Sequence, residues 1–458
     1  MNKYYFENNE FVIEDYDKQK TFSSFLPGMA GKRGIPLWVF YVNRGQGIAS
    51  FGIENKDRHI LEFTPAVKAY KTVGIDGFRT FVKVNGKTVE IFGENDSNCD
   101  RKMKIKRGEF IIEENNKDLG LNFRITYFGL PNDNIAALVR IVEITNVSGE
   151  KVSFEILDGL SKLLPSGVSL GDMKFLANLT RSWMEVYNLE DNVGFYRMRS
   201  SSADQAEVVE VTSGNFYVSS FNDKLIKPIV DQRLVFGYDT TKRRARYFEA
   251  NDLKNISEEE QVTANKIPVG FTGLSLEINP GETTRFNTLI GHIHCEEYLV
   301  ERATEIATNE YIDQRRKEAS QVLDDMLDEV NMESNHPIFD DYIKQNYLDN
   351  ILRGGYPMTI DGENKKFVYH LFSRRHGDLE RDYNYFSLAP EFYSQGNGSF
   401  RDVCQNRRSD ILLNPEVEDF NMKMFASFIQ PDGYNPMSID GSTFEITNKN
   451  KIDALTET

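Results

Sequence analysis

Thr80-Phe-Val-Lys-Val-Asn85-Gly86-Lys-Thr-Val-Glu90 alternates apolar and polar side chains on both sides of an Asn-Gly pair. Successive side chains of a β-strand point to opposite faces, so each half of this stretch has the pattern of a strand with one buried face. The Asn-Gly pair accepts the two positive φ angles that a two-residue hairpin turn requires. The stretch therefore predicts an antiparallel hairpin and indicates the fold class of the N-terminal part.

Two further pairs of alternating segments flank turns in the same part of the chain. The first covers residues 140–156 with its turn at Asn146-Val-Ser-Gly149, and the second covers residues 274–286 with its turn at Asn279-Pro-Gly281. No convincing helical stretch separates the strands. Many strands joined by turns are typical of a large antiparallel β-sandwich, which we assign to residues 1–295.

The apolar pattern changes from the strand period to the helix period at Glu296. Apolar side chains recur at spacings of three and four as far as Val330, which predicts one long or two consecutive amphipathic helices in a linker of residues 296–335. Another helix is predicted from Pro337 to Gly354-Gly355, and helices with polar loops are expected through the rest of residues 336–458. The expected fold class is therefore multidomain, with an N-terminal antiparallel β-sandwich, a helical linker and a helical domain.

Composition and charge exclude several classes of function. The 458 residues carry 54 basic and 70 acidic side chains, which gives a net charge of −16. This acidic balance argues against a nucleic-acid partner. The longest apolar run, residues 35–42, reads as a buried strand because it is too short for a bilayer span, and the first twenty residues lack a signal-peptide pattern. We expect a cytoplasmic protein with no membrane partner, and free thiols at Cys99, Cys295 and Cys404.

Three short motifs resemble functional signatures and have simpler interpretations. His292-Ile-His294-Cys295 offers three zinc ligands, but a structural site needs four and no CxxC partner is present, so we interpret it as a strand end and expect no metal. Gly45-Gln-Gly47 lacks the third glycine of a dinucleotide fingerprint and predicts a tight turn. The acceptor patterns at Asn146 and Asn178 have little meaning without a secretory signal.

The stretch from Phe372 to Asp410 contains the most residues of the types that bind ligands or take part in catalysis. It interleaves charged, amide and aromatic residues without an amphipathic stripe, and Gly396 and Gly398 precede its second half. Arg, Asp, Gln and Asn supply paired donors and acceptors for sugar hydroxyls, and aromatic rings cover the C–H faces of a sugar. Two interpretations stay open at this point: a carbohydrate pocket, and a surface network of Arg–Asp pairs that caps helices.

The second half of this stretch resembles a known family. Phe400-Arg401-Asp402-Val-Cys-Gln405-Asn406 matches the motif aromatic-Arg-Asp-x-x-Gln-Asp of the inverting cellobiose/chitobiose phosphorylases at every position except the last. Asn406 followed by Arg407 and Arg408 is similar to the branch of that family that acts on 1,2-β-oligoglucans. Other stretches that match the family are residues 25–31, 34–38, 41–47 and 62–66.

The resemblance implies an architecture and an activity. The architecture is a β-sandwich, a helical linker and an (α/α) six-hairpin barrel, of which residues 336–458 would hold the start. The activity is a glycosyltransferase (hexosyltransferase) reaction, the reversible inverting phosphorolysis of 1,2-β-linked glucooligosaccharides to α-glucose 1-phosphate. One carboxylic acid protonates the leaving oxygen while inorganic phosphate takes the place of water. The implied partners are the oligosaccharide and phosphate as co-substrate, with no cofactor, and a homodimer stays open.

The motif also assigns roles to individual residues. By resemblance, Arg401 and Asp402 would hydrogen-bond the bound glucose, and Gln405 and Asn406 would complete or orient that set. Weaker candidates for the sugar or phosphate side, chosen by residue type and proximity, are Arg374, Arg375, His376, Asp382 and Tyr383.

The general acid and the phosphate-binding residues are expected beyond Thr458. A barrel of twelve helices needs roughly 200 residues, from typical helix and connection lengths, whereas 122 residues run from Pro337 to Thr458. The activity of the 458-residue segment alone is therefore in question. We interpret Asp378, Glu380 and Asp410 as binding or structural carboxylates.

Three alternative functions stay open. A β-glucoside phosphorylase of the cellobiose type would share the motif. An inverting glycoside hydrolase would need a second carboxylate across the cleft and would release glucose without phosphate. A non-catalytic carbohydrate-binding fragment is the alternative from a different class.

Overall fold

The computed structural model describes residues 3–94, 98–200, 212–362, 366–375, 386–445 and 449. The chain divides into two compact units. Among the described residues, unit 1 consists of residues up to 326 together with Phe386 and Pro390–Phe392, and unit 2 consists of the rest. The candidate residues His376, Asp382 and Tyr383, and also Asp378 and Glu380, lie outside the described residues.

Unit 1 is built mainly from strands. Its strands are β1 (Tyr4–Glu7), β2 (Glu10–Glu14), β3 (Ser23–Phe25), β4 (Trp38–Val42), β5 (Ile48–Gly52), β6 (His59–Leu61), β7 (Phe78–Val84), β8 (Lys87–Ile91), β9 (Cys99–Ile105), β10 (Glu109–Asn116), β11 (Leu121–Gly129), β12 (Ala136–Asn146), β13 (Val152–Leu160), β14 (Met184–Tyr187), β15 (Gly194–Met198), β16 (Gly214–Phe221), β17 (Lys224–Leu225), β18 (Gly270–Ile278) and β19 (Thr283–Ile293). Its helices are α1 (Ala66–Asp76), α2 (Leu170–Phe175), α3 (Ala177–Arg181), α4 (Arg233–Phe236), α5 (Arg246–Ala250), α6 (Leu253–Glu258), α7 (Glu296–Ile306) and α8 (Asn309–Leu327), the last of which ends at the border of the unit.

The strands of unit 1, within the described ranges, form three antiparallel sheets. The largest has eleven strands in the order β1-β2-β9-β10-β11-β12-β19-β16-β15-β14, with β17 beside β16. A second sheet has the order β18-β13-β7-β8, and a third has the order β3-β4-β5-β6.

One apolar core fills the space between the large sheet and the two smaller ones. Leu138 and Val142 of β12 point into this core with Ile156 of the second sheet and Phe51 of the third. The neighbouring Val139 points to the opposite face of the large sheet, as the two-residue period of a strand requires. The prediction of an antiparallel β-sandwich is confirmed.

Helices cover the outer faces of the sandwich. Leu299 and Ile306 of α7 and Ile312 of α8 pack on the outer face of the large sheet against Val139 and Leu289. Helices α4 to α6 cover the outer face of the second sheet in the same way. The linker segment therefore forms two helices rather than one, and α7 ends where Ala307 caps it.

The three predicted turns are of two kinds. Asn85 and Gly86, with φ angles of 49° and 77°, form the predicted hairpin between β7 and β8. The turns after Asn146 and Asn279 instead join strands of different sheets, because β12 and β19 pair with each other in the large sheet while β13 and β18 pair in the second. Each of these turns is therefore an arch, which crosses the core from one sheet to the other. An arch and a hairpin have the same strand–turn–strand pattern in the sequence, so the alternation does not distinguish them.

Asn146 joins the two arches. Its side-chain amide donates hydrogen bonds to the carbonyl oxygens of Glu150 at 2.7 Å and Ile278 at 3.0 Å. Its side-chain oxygen accepts one from the backbone N–H of Ser148 at 2.9 Å. The side chain is fully buried, so the glycosylation pattern at this position is a structural turn.

Helix α1 overturns the expectation that no helix interrupts the strands. Its buried residues Ala66, Ala69 and Val73 recur at spacings of three and four and pack into unit 1. The helix also contains Thr72 and Gly74, which have low helix propensity and weaken the sequence signal. A short helix with three small or medium buried side chains is therefore easily missed.

The glycine motif and the histidine motif of unit 1 lie where their structural interpretations predict. Gly45 and Gly47 lie in the turn between β4 and β5, and His292 lies at the end of β19, just before α7. Nδ1 of His292 lies 3.0 Å from Oδ1 of Asn215, and burial together with nearby His294 lowers the pKa of His292 to about 3. The three cysteines are free thiols.

Unit 2 contains both helices and strands. Its elements are α9 (Pro337–Gly354), β20 (Tyr356–Asp361), β21 (Lys366–Leu371), β22 (Gly398–Ser399), α10 (Phe400–Arg407), α11 (Asp410–Leu413), α12 (Phe420–Ser427) and β23 (Ser438–Ile439). The hairpin formed by β20 and β21 corrects the expectation that only helices and loops follow Pro337. The described residues of unit 2 do not show an (α/α) barrel, which stays a prediction.

Only part of the predicted apolar stripe of helix α9 is buried. Tyr347, Leu348 and Ile351 are buried, whereas Ile338 and Tyr342 at the N-terminal end are exposed.

Across the part of the chain that the structure describes, no helix is both long enough and apolar enough to cross a bilayer.

Candidate functional site

Helix α10 of unit 2 carries the residues of the motif. It begins after Ser399, whose Oγ accepts a hydrogen bond from the backbone N–H of Asp402 at 3.4 Å. Asp402 thus lies in the first helical turn, where the free N–H groups favour a carboxylate. A side-chain hydrogen bond between Ser399 and the carboxylate of Asp402, together with the neighbouring Arg401, lowers the pKa of Asp402, so this side chain is ionised at neutral pH.

Two polar side chains at the start of α10 face solvent as a pair. Nε of Arg401 lies 2.9 Å from Oδ1 of Asp402, with 86% of the Arg401 side chain and 42% of the Asp402 side chain exposed. Gln405, one turn further along, is also exposed. The pair offers a fixed donor and a fixed acceptor side by side, which is the arrangement that adjacent sugar hydroxyls require.

The other two residues of the motif face inward. Nδ2 of Asn406 donates to the carbonyl oxygen of Asp402 at 2.7 Å, and a Cβ added at Gly354 would come within 3.0 Å of the Asn406 Cβ. The ring of Phe400 packs against Phe425 with a centroid distance of 5.4 Å. Asn406 and Phe400 therefore fix α10 in unit 2 and present little surface to a ligand.

Arg407 anchors the C-terminal end of α10. Its guanidinium is buried, and Nε donates to the carbonyl oxygen of Gly354, the last residue of α9, at 2.6 Å. Burial lowers the pKa of Arg407 to about 10, and Asp410 opposes that shift. The side chain therefore stays positively charged at neutral pH.

A buried cluster lies beside Arg407. Oδ2 of Asp410 accepts hydrogen bonds from Nε2 of His370 at 3.0 Å and from Nδ2 of Asn421 at 2.8 Å. Burial and the charge of Arg407 lower the pKa of His370 to about 4, against the opposite effect of Asp410. His370 is neutral at pH 7 and donates its Nε2–H. We call His370, Arg407, Asp410 and Asn421 the anchor cluster.

The remaining described candidates, Arg374 and Arg375, lie in a segment that approaches α10. The backbone N–H of Gly396 donates to the carbonyl oxygen of Ser373 at 2.7 Å, and Arg375 and Ser387 exchange two backbone hydrogen bonds. Gly396 precedes the start of α10 by four residues, so these contacts bring the Arg374–Arg375 segment alongside the entry to the helix. Both arginines are half-buried.

The sequence interpretation missed part of this arrangement. His370 lies in a strand that was not predicted, and a lone histidine among apolar neighbours gives no signal of a polar partner forty residues later. Asn421 lies outside the stretch that drew attention. Asp410 was interpreted as a binding or structural carboxylate, and its burial against His370 assigns it a structural role.

The chain matches no protein-family model and no curated protein. Similar solved structures include a putative kojibiose phosphorylase from the human microbiome, with 8% identity and a TM-score of 0.32 over 78% of this chain and 40% of that chain. They also include a polysaccharide lyase, with 10% identity and a TM-score of 0.32 over 58% of this chain and 33% of that chain. A GalM/aldose epimerase homologue from C. elegans has 11% identity and a TM-score of 0.33, over 60% of this chain and 100% of that chain.

The chain spans less than half the length of the first two of these proteins. All three neighbours carry the names of carbohydrate-active enzymes, but likenesses this weak carry no argument about function.

Proposed function

We propose that the chain binds a β-linked glucooligosaccharide at the N-terminal end of α10 and serves the inverting phosphorolysis of 1,2-β-linked glucooligosaccharides. The observation that carries the proposal is the exposed Arg401–Asp402 pair on a capped helix start. Nε of Arg401 donates to Oδ1 of Asp402 at 2.9 Å, and the terminal N–H groups of the guanidinium and the other carboxylate oxygen can bond sugar hydroxyls. Gln405 adds an amide on the same exposed side.

The charge state of the pair supports sugar binding. A carboxylate accepts hydrogen bonds and a guanidinium donates them, so the two groups satisfy a hydroxyl pair without any change of protonation. Hydrogen bonds to charged groups are roughly twice as strong as neutral ones. The pair lies in water when no sugar is bound, so binding exchanges water for hydroxyl groups of similar chemistry.

The proposed reaction needs one proton donor and one phosphate. The acid protonates the glycosidic oxygen as the bond from that oxygen to the anomeric carbon breaks, and a phosphate oxygen forms a bond to the anomeric carbon from the opposite face. Configuration inverts, and the product is α-glucose 1-phosphate. The expected partners are the oligosaccharide and inorganic phosphate, without a cofactor. We propose residues 1–295, 296–335 and 336–458 as sandwich, linker and start of the catalytic domain.

A second candidate is carbohydrate binding without catalysis. Asp402 is held ionised beside Arg401, and Asp410 is buried against His370. Neither carboxyl group is set up to donate a proton to a glycosidic oxygen. This observation favours a binding role for α10 itself, with the acid supplied by another residue where catalysis occurs.

Binding and phosphorolysis can be tested separately. Calorimetric titration of the chain with sophorose oligomers measures binding, with Lys423→Ala as the control because Lys423 is an exposed basic side chain on α12, outside the motif. Incubation of the oligomers with and without phosphate, followed by assay of glucose 1-phosphate and free glucose, measures the reaction. Phosphate-independent release of glucose would indicate a hydrolase, binding without turnover would indicate the second candidate, and absence of binding would overturn both proposals.

A further inference from the structure

We propose that the anchor cluster positions α10, so that the Arg401–Asp402 pair meets the sugar in a single orientation. This inference rests on the proposed sugar binding and concerns residues that do not themselves touch the sugar. His370, Asp410 and Asn421 are positioning residues here, and Arg407 is the group through which they act.

The cluster ties α10 directly to α9 and α12, and it ties the following helix α11 to β21 and α12. Asn421 of α12 donates to the carbonyl oxygen of Arg407 at 3.3 Å as well as to Asp410 at 2.8 Å. His370 of β21 donates to Asp410 at 3.0 Å. Arg407 in turn donates to Gly354 at the end of α9 at 2.6 Å. The bonds of Arg407 lie at the C-terminal end of α10, opposite to the exposed pair, and those of Asp410 lie just beyond that end.

Helix α10 cannot hold its own orientation. It has eight residues, which is too short for a helix to be stable without tertiary contacts. Arg401 and Arg407 are about 9 Å apart along the helix axis. A tilt of roughly 10° about Arg407 therefore moves the start of the helix by about 1.5 Å, and a 1 Å misplacement of a binding group can cost about a hundredfold in rate.

The buried groups leave few alternatives to this geometry. His370 and Asp410 are 1% and 4% exposed, so each polar atom must find its partner inside the protein. Gly355 has a φ angle of 96°, and a Cβ at that position would come within 2.5 Å of the His370 Cβ. The backbone at the end of α9 thus lies directly against the histidine and limits its movement away from Asp410.

The test compares two variants that each remove side-chain hydrogen bonds from unit 2. Asn421→Ala removes the link between α12, Asp410 and the Arg407 carbonyl. Tyr347→Phe removes the bond from Tyr347 to Glu329 at 2.8 Å, which does not involve α10. We expect Asn421→Ala to weaken the affinity for sophorose by 10-fold or more, and Tyr347→Phe to change it by less than twofold.

A second pair of variants tests the chemistry of the anchor. Arg407→Met keeps much of the side-chain volume and loses the donor to Gly354, whereas Arg407→Lys keeps a donor. We expect Arg407→Met to weaken the affinity for sophorose as Asn421→Ala does, and Arg407→Lys to retain most of the wild-type affinity. Equal losses in both would overturn the positioning role.

Amide hydrogen exchange over residues 400–407 gives a readout that does not depend on sugar. Exchange should accelerate in Asn421→Ala and stay unchanged in Tyr347→Phe. Wild-type affinity and wild-type exchange in Asn421→Ala would overturn the inference while leaving the proposed function intact. Absence of sophorose binding by the wild-type chain would overturn the proposed function, and with it the role of the cluster toward sugar.

Discussion

Nε2 of His370 lies 3.0 Å from Oδ2 of Asp410, and both side chains are buried in unit 2. A neutral histidine donates to a carboxylate here, since burial and Arg407 keep the pKa of His370 at about 4. The contact joins a strand to the segment that follows the motif helix. We therefore expect the stability of unit 2 to depend on the protonation state of this imidazole.

Stability should fall as the pH decreases from 6.5 to 4. The pKa of His370 is about 4 in the folded chain and near 6.5 in an unfolded one, so the unfolded state binds more protons in this window and acidification favours unfolding. We expect His370 to contribute about 2 kcal/mol less stability at pH 5 than at pH 7, from about 1.4 kcal/mol per pKa unit. Urea denaturation at both pH values measures the difference.

The matched control for the pH dependence is His370→Gln. Glutamine keeps an N–H donor toward Asp410 and does not titrate. His292, whose pKa is also lowered, titrates in both chains and cancels in the comparison. The same loss of stability between pH 7 and pH 5 in His370→Gln as in the wild-type chain would contradict the assignment to His370.

Asp402→Asn should weaken sugar binding and leave the fold intact. The change removes the charge that pairs with Arg401 and keeps the size of the side chain, and Asp402 is nearly half exposed. A hydrogen bond to a charged group contributes roughly 1.5–3 kcal/mol, so the affinity for sophorose should fall by about 10- to 100-fold. Calorimetric titration measures the affinity, and circular dichroism checks the fold.

Asp402→Ala extends that test to the reaction. Where the chain catalyses phosphorolysis, this variant should reduce glucose 1-phosphate release by orders of magnitude. Lys423→Ala on α12 should retain wild-type binding and rate. Wild-type binding and rate in both Asp402 variants would remove α10 from the sugar site.

The sequence predicted local patterns better than it predicted partners. The period-two alternation around Asn85 and Gly86 is visible in the sequence and predicts the hairpin of β7 and β8, whereas Leu138 and Val139 are both apolar because one faces the core and the other faces the helices. The pairing of β12 with β19 rather than β13 is not visible, because every alternating strand offers the same edge. The choice depends on contacts such as that from Asn146 to Ile278, which joins residues far apart in the chain.

In the candidate site, too, local patterns could be predicted from the sequence and partners distant in the chain could not. Ser399, Arg401 and Asp402 could be predicted as a capped helix start with polar residues, since the signals are adjacent. The partnership of His370 with Asp410 could not, because it depends on how a short hairpin and two short helices pack. The motif therefore predicts which residues bind a ligand, which stays a prediction, whereas the contact of His370 with Asp410 was found only in the structure.

Arg140→Ala should strongly destabilise the sandwich. Arg140 and Asp158 are both fully buried, with Nη2 of the arginine 2.6 Å from Oδ1 of the aspartate, and Tyr127 and Gln46 complete the cluster. Removal of one partner leaves an uncompensated buried charge, which costs about 3–5 kcal/mol. Denaturant unfolding measures this loss.

The double variant Arg140→Met with Asp158→Leu is the control for that prediction. Apolar residues of similar volume remove both charges together, and such replacements are often neutral or stabilising. We expect the double variant to lose less stability than Arg140→Ala. A larger loss would show that the surrounding Tyr127 and Gln46 depend on the ion pair more than on the volume it fills.

Gly355→Ala should disturb unit 2 far more than Gly86→Ala disturbs unit 1. Both glycines have positive φ angles, 96° and 77°, so both variants incur backbone strain of order 1 kcal/mol. A Cβ at Gly86 meets nothing within 4 Å, whereas a Cβ at Gly355 would lie 2.5 Å from the Cβ of His370. Gly355→Ala must therefore displace His370 from Asp410. We expect faster hydrogen exchange in β21 and α10 in Gly355→Ala alone and a larger fall in Tm than in Gly86→Ala, and equal effects of the two substitutions would contradict the packing of His370 against Gly355.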